Sequence, residues 1–186
     1  EKQRALQLQQ QAMKQASLDS SALKAATDTI SLFGMHKQGQ NKTVTLQNEL
    51  LKVELNTLGG VISAAQLKDY KDQKKKPVQL FSEATSYLKY TLPMKEENLK
   101  TAEMYFNAEE QTDSSVTMAL RGKDGSMFAI EYKLIPHTYM VNVAIRTAGL
   151  ERHLMPNTKT ISIEWQDSIK PQEKGFTFEN RYATLT

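Results

Sequence analysis

The side chains best able to do chemistry are three histidines, His36, His137 and His153, which lie far apart in the sequence. A catalytic imidazole needs an orienting partner and a nearby group that stabilises developing charge. None of the three belongs to a metal-binding spacing such as His-Glu-x-x-His. His36 follows a predicted helix and His137 lies in a predicted turn, so we expect solvated imidazoles there. The sequence therefore predicts no catalytic residue, no cofactor-binding residue and no metal ligand.

The carboxylates and glycines give no stronger catalytic signal. Glu96-Glu97 and Glu109-Glu110 are neighbours in sequence, but neighbours on a strand point to opposite faces and need not share a proton. Gly59-Gly60 lacks the Gly-Lys-Ser/Thr of a phosphate loop, and its expected role is a sharp chain reversal. The Asp-Gly pair at 124 and 125 is typical of a tight hairpin. We therefore assign structural turns to Gly59, Gly60, Asp124 and Gly125, and the binding surface stays unassigned.

One basic cluster stands out, and it has two interpretations. It contains Lys68, Lys71, Lys74, Lys75 and Lys76. A solvated loop that protects a sheet edge is the favoured interpretation. Contact with anionic lipid headgroups is the alternative.

Composition narrows the class of protein. The chain has 186 residues, enough for one sizeable domain, and 24 Lys+Arg against 21 Asp+Glu leave a net charge of +3. This balance disfavours a nucleic-acid binder, which must neutralise many phosphates. The absence of Cys excludes disulfide scaffolds and thiol nucleophiles. Because the chain starts without Met and inside a helical pattern, we interpret it as a piece of a longer protein.

Residues 1–42 are predicted to form a helical spacer. The first 28 residues contain neither Gly nor Pro and are rich in Gln, Ala and Leu. Leu23, Ala26, Ile30 and Phe33 recur at helical spacing, and Gly34 is placed to end the helix. This stripe could pack on a domain, or the spacer could be solvated, and the pattern leaves both open.

From Thr43 onward the apolar period changes to two, which is typical of strands. Strands are predicted around 44–55 as a hairpin and then at 61–67, 78–81, 87–92, 104–108, 116–120, 128–134, 141–145 and 161–165. Many short strands joined by turns predict an antiparallel β-sandwich over 43–186. Aromatic residues at strand spacing are assigned to the core rather than to a ligand cleft. The nominated core residues are Val53, Leu55, Ile62, Leu120, Ile130, Tyr132, Val141, Val143, Ile163 and Trp165.

Three segments resemble a known family. Residues 44–70 contain two short strands, a Thr57-x-Gly-Gly60 turn and a strand ending in Leu67-x-x-Tyr70. A Phe-containing strand from Phe128 turns into Tyr139-Met-Val-Asn-Val143, and residues 173–183 read Glu-Lys-Gly-Phe-Thr-Phe-Glu-Asn-Arg-Tyr-Ala. In this order the segments resemble the large periplasmic domain of the bacterial YidC membrane protein insertase family, and the last segment is similar to its Bacteroidetes members.

This resemblance implies a fold, a location and a function. It implies a galactose mutarotase-like β-supersandwich in the periplasm, which follows a first membrane helix that is missing from this chain and continues beyond Thr186. The family's insertion chemistry belongs to membrane helices outside this chain. We therefore expect a non-catalytic domain that assists insertion and folding of membrane proteins through contacts with the Sec translocon or nascent membrane proteins. Incomplete sheet edges could pair with another copy.

A second function stays open. Because mutarotases share the implied sandwich, the alternative is a carbohydrate-binding or mutarotase-like sugar-active protein of the cell envelope. Mutarotase chemistry needs a histidine and a carboxylate that converge on a sugar, and the sequence nominates no such pair.

Overall fold

The computed structural model describes residues 31–168 and Arg181, and these residues form mainly antiparallel β-structure. The predicted mainly β, antiparallel fold class is confirmed. Most of the predicted spacer helix falls on residues 1–30, outside the described part of the chain. Among the described residues, no helix has the length and hydropathy needed to cross a bilayer.

The first sheet is an antiparallel meander of four strands. Its strands, which are neighbours in chain order, are β1 (Thr43–Gln47), β2 (Leu51–Asn56), β3 (Val61–Lys71) and β4 (Pro77–Phe81). Val44 and Leu46 are buried while the alternate residues of β1 are exposed, as the period of two requires. A register shift between Glu54 and Leu55 interrupts the pairing of β2 with β3.

A second and a third sheet contain the remaining strands. The third sheet has the order β11-β5-β6, with β5 at Ser86–Leu92, β6 at Leu99–Lys100 and β11 at Ser162–Asp167. The second has the order β10-β9-β8-β7, and its strands are β7 (Asn107–Glu109), β8 (Ser115–Arg121), β9 (Met127–Leu134) and β10 (Val141–Ala148).

The strand predicted at 104–108 is only partly correct, because β7 begins at Asn107. The amide of Tyr105 donates to the His36 carbonyl, and that of Phe106 donates to the Thr57 carbonyl. These loop partners, distant in sequence, replace the expected strand partner. The short strand β6 was not predicted.

One hydrophobic core receives side chains from all three sheets, among them Leu55 of β2, Ile130 of β9 and Tyr90 of β5. Half of the nominated core is confirmed as buried, namely Val53, Leu55, Leu120, Ile130 and Tyr132. Ile62 and Val141 are partly buried and pack against this cluster.

Three nominated core residues are wrong. Val143 is 48% exposed, Ile163 58% and Trp165 72%. All three lie on strands at the edge of a sheet, β10 and β11. These side chains are therefore exposed because each lies on an outer strand of its sheet.

Residues immediately before β1 pack on the sheets. Phe33 is 2% exposed and belongs to the core cluster. A short 3-10 helix follows at Gly34–His36, at the point where Gly34 was expected to end a longer helix. The carbonyl of Leu32 accepts a hydrogen bond from the Lys123 amide at 3.2 Å. Phe33 is thus the one stripe residue within the described part of the chain, and it packs on the core; Leu23, Ala26 and Ile30 lie outside that part.

Candidate interaction surface

The histidines do not form a catalytic group in the described residues. His36 is buried, so the expected solvated imidazole is wrong. Its Nδ1 lies 2.9 Å from the Tyr105 carbonyl oxygen, and its Nε2 accepts the Arg121 amide N–H at 3.1 Å. A ring that carries its proton on Nδ1 satisfies both contacts. The role of His36 is therefore to join the segment before β1 to the end of β8.

His137 and His153 lie at different places. His137 is exposed, with φ 58°; its Nδ1 lies 3.7 Å from Glu49 Oε1, and its amide donates to Glu49 Oε2 at 3.2 Å. His153 Nε2 contacts Asp124 Oδ2 at 2.7 Å, so the structure forms a histidine–carboxylate pair that the sequence did not nominate. Across residues 31–168 no cluster of three metal-ligating side chains is present.

The Asp124 carboxylate is occupied by structural contacts. Its Oδ2 also accepts a hydrogen bond from Arg152 Nη2 at 2.7 Å, and its Oδ1 accepts the Ser126 amide at 3.0 Å. The neighbouring Ser126, through its hydroxyl and its amide, and then His153 lower the pKa of Asp124 well below its usual range. The Ser126 hydroxyl forms no hydrogen bond of ordinary geometry, so the amide is the firmer of the two contacts. These contacts link the β8–β9 turn to residues 152 and 153.

A cleft of about 230 Å³ lies beside this turn. Phe33 and Met94 line it together with His153 and the exposed carboxylates Glu96 and Glu97, whereas Asp124 does not. The imidazole and its carboxylate partner therefore do not converge on a shared space. The geometry needed to hold a sugar between an imidazole and an acid is not formed by this pair.

The predicted turn residues lie at two chain reversals. Gly59 and Gly60 have φ of 84° and 65°, and a Cβ at Gly60 would lie 2.7 Å from the Phe106 ring. Only glycine fits both constraints. The Gly60 carbonyl accepts a hydrogen bond from the buried Tyr132 hydroxyl at 2.9 Å. Gly125, with φ 83°, follows Asp124 between β8 and β9.

The most distinctive surface is formed by apolar side chains at two sheet edges. On β10, Val141, Val143 and Ile145 are directly opposite Leu134, Tyr132 and Ile130 of β9. Directly opposite residues of an antiparallel pair lie on the same face, and the three β9 partners are buried. The β10 residues thus point to the core side of the sheet, yet Val143 is half exposed.

The same arrangement recurs on β11. Ile163 is opposite the buried Tyr90, and Trp165 is opposite Leu88, which packs against the core. Both side chains therefore occupy the core face of their sheet while remaining mostly exposed. We call Val141, Val143 and Ile145 of β10 and Ile163 and Trp165 of β11 the edge rows.

A buried tyrosine lies beside each of the edge rows. Tyr132, the partner of Val143, and Tyr90, the partner of Ile163, both belong to the core cluster, and burial raises the pKa of both. Val143 and Ile163 are therefore exposed although each lies opposite a core residue. No local sequence signal could identify this, because alternation marks a face without showing whether another element covers it.

The opposite face of β11 is polar. Glu164 accepts a hydrogen bond from the Tyr87 hydroxyl at 2.6 Å and pairs with Lys89 at 2.9 Å. The Tyr87 hydroxyl, and after it Lys89, lower the pKa of Glu164. The two faces of this edge strand thus differ sharply, and only the core face offers an apolar contact.

Comparison with known proteins identifies the family. The model of the YidC periplasmic domain matches residues 43–186. The chain is 40% identical over 159 residues to a membrane protein insertase YidC of Phocaeicola vulgatus, covering 86% of this chain and 26% of the relative. It is 35% identical over 184 residues to the YidC of Bacteroides fragilis, covering 97% of this chain and 30% of the relative.

A third relative, the membrane protein insertase YidC of Porphyromonas gingivalis, is 31% identical over 173 residues, covering 92% of this chain and 28% of the relative. The chain thus spans less than a third of the length of the curated relatives it matches. These matches favour the insertase interpretation over the carbohydrate-binding or mutarotase-like one. The chain belongs to the family of YidC periplasmic domains, a segment of a bacterial inner-membrane protein that lies in the periplasm.

Proposed function

We propose that this chain is a non-catalytic binding domain of a membrane protein insertase and assists the insertion and folding of membrane proteins. It would act through contacts with nascent membrane-protein segments or with the Sec translocon, without turnover. The observation that carries this proposal is the pair of edge rows, because three of their apolar side chains, Val143, Ile163 and Trp165, are about half or more exposed although they lie on the core face of a sheet. Family membership supports the insertase context.

The edge rows fit an extended apolar segment. Strands β10 and β11 are outer strands, so each has one backbone edge without a strand partner among the described residues. An added strand satisfies such an edge through main-chain hydrogen bonds, while alternate side chains pack on the sheet face. Membrane-protein segments are rich in the Val, Ile and Leu side chains that such a face accepts. Non-enzymatic recognition of many substrates is compatible with this mode, since main-chain bonds need no particular side-chain set.

A peptide-binding experiment tests the proposal. The 186-residue chain is titrated with a short peptide that alternates Val with Thr, and the emission of its single Trp, Trp165, is followed. Binding next to Trp165 should shift the emission to shorter wavelength, because the indole leaves water. A peptide of similar composition with Pro at alternate positions lacks the needed amides and should not bind.

Paired variants locate the binding site. V143S/I163S should weaken binding by about tenfold or more, because two apolar contacts are removed. L80S is the control, since Leu80 is comparably exposed on β4, away from the edge rows, and its affinity should stay within about twofold. Equal affinity of V143S/I163S and the unaltered chain would refute the edge rows as the binding surface.

Crosslinking in the parent insertase distinguishes the two classes of partner. A photoreactive residue at position 143 or 163 should give adducts with nascent membrane proteins or with Sec components, and one at position 80 should give few. Adducts from position 80 alone would contradict the proposal.

A further inference from the structure

The end of the β3–β4 hairpin concentrates the positive charge of the molecule. Residues 68–76 contain five Lys and two Asp, so the net charge of this short stretch is +3, the same as the net charge of the whole chain. We call Lys71, Lys74, Lys75 and Lys76 the basic tip. The remaining residues are balanced in charge, which makes the tip the dominant local source of positive potential.

The charges of the basic tip are not neutralised within the described residues. All four lysines are exposed, and none forms an ion pair in the part of the chain that the structure covers. The neighbouring acid, Asp72, uses Oδ1 to accept the amides of Lys74 and Lys76 at 2.8 and 2.9 Å. Lys68 differs, because its Nζ donates to the Asn48 carbonyl at 2.6 Å. The cluster therefore divides into one structural lysine and four that project into solvent.

Exposed aromatic and apolar side chains flank the basic tip. Tyr70, 55% exposed, packs against Tyr139, 42% exposed, with ring centroids 6.3 Å apart. Met140 follows Tyr139 and is more exposed still. Tyrosine is favoured at membrane–water interfaces because its ring is apolar and its hydroxyl is hydrated. Lysines beside such rings can neutralise headgroups while the rings enter the interface.

We propose that the basic tip, together with Tyr70, Tyr139 and Met140, binds the anionic surface of a lipid bilayer. Charge complementarity favours anionic headgroups, and the exposed tyrosines and methionine favour an interface with an apolar layer over a wholly polar polyanion. This chain belongs to a family of periplasmic domains from inner-membrane proteins, and such domains lie next to a bilayer. The proposal does not depend on peptide binding at the edge rows, which involve other strands.

Vesicle sedimentation provides the test. The 186-residue chain should co-sediment with phosphatidylglycerol vesicles and much less with phosphatidylcholine vesicles. K71Q/K74Q/K75Q/K76Q should lower the partition coefficient for anionic vesicles by at least about tenfold, since each lysine near such a surface contributes about a factor of five. Added salt should weaken binding of the unaltered chain.

A charge-matched variant separates a defined surface from general attraction. K42Q/K100Q/K123Q/K159Q removes four exposed lysines elsewhere and should keep binding within about threefold of the unaltered chain, because distant charges are screened. Equal losses in the two quadruple variants would overturn the proposal. So would equal binding to both vesicle types.

The tyrosines give an independent readout. Y70S/Y139S should lower binding to anionic vesicles by about threefold to tenfold, and this loss should persist at high salt because it reflects apolar insertion. Unchanged binding by Y70S/Y139S, with full competition by soluble polyglutamate, would identify an acidic polymer as the partner and overturn the membrane assignment. Melting temperatures close to that of the unaltered chain would show that the variants are folded.

Discussion

The neighbouring strands β9 and β10 have the same alternation of apolar residues but differ in how deeply those residues are buried. Ile130, Tyr132 and Leu134 of β9 are fully buried, whereas Val143 of β10, directly opposite Tyr132, is half exposed. Both sets point to the same face of one sheet. The difference is that β9 is an inner strand and β10 is an edge strand. Alternation thus reports the face of a side chain, and the presence of an overlying element decides its burial.

The largest effect is expected from a charge placed on β9 instead of β10. I130D should unfold the domain or destabilise it by at least about 4 kcal/mol, because it buries an unpaired carboxylate. V143D should cost no more than about 1 kcal/mol, because its carboxylate reaches water. Chemical denaturation of both variants measures the contrast. Similar losses in the two would show that β10 is covered in solution.

The sequence was sufficient to predict the fold class and the face of each strand that carries apolar residues. It was not sufficient to predict contacts between segments that are distant in the sequence. It placed Val143, Ile163 and Trp165 on the correct face but could not show that both strands lie at edges. It expected a solvated His36, whose ring partners at Tyr105 and Arg121 are 69 and 85 residues away. Such contacts leave no local pattern. The edge rows were therefore beyond prediction, although four of their five residues, all except Ile145, were nominated for the core.

A smaller effect should come from Tyr132, the interior partner of the exposed Val143. Y132F removes the hydroxyl that donates to the Gly60 carbonyl at 2.9 Å and should cost about 1–3 kcal/mol, because a buried acceptor loses its partner. Denaturant titration gives the value, and Y87F is the matched control, because it removes a hydroxyl whose hydrogen bond to Glu164 is exposed to water. A loss no larger in Y132F than in Y87F would show that the Gly60 contact contributes little.

The smallest effect concerns pH and the polar face of β11. The Tyr87 hydroxyl and Lys89 lower the pKa of Glu164, so this carboxylate stabilises the fold above its unfolded pKa. That contribution is lost as the pH falls through the folded pKa. The protection factors of the β11 amides, which correct for the pH dependence of intrinsic exchange, should fall on acidification below the ordinary glutamate range.

The variant E164Q isolates this contribution. The protection factors of its β11 amides should be slightly lower at neutral pH, and their acid-dependent decrease should shrink. An identical acid response in E164Q and the unaltered chain would assign the effect to other carboxylates, such as Glu109, whose pKa the Arg121 guanidinium lowers.

The packing of Phe33 in the core places the start of the folded domain before residue 43. The sequence pattern of the family begins at residue 43, whereas an aromatic ring upstream of it is already among the interior side chains. A fragment cut at the family border would retain every strand of the described residues and lose that ring, together with the hydrogen bond that the Lys123 amide donates to the Leu32 carbonyl. A fragment for expression should therefore begin no later than Ser31, because the loss of Phe33 would leave a cavity in the core.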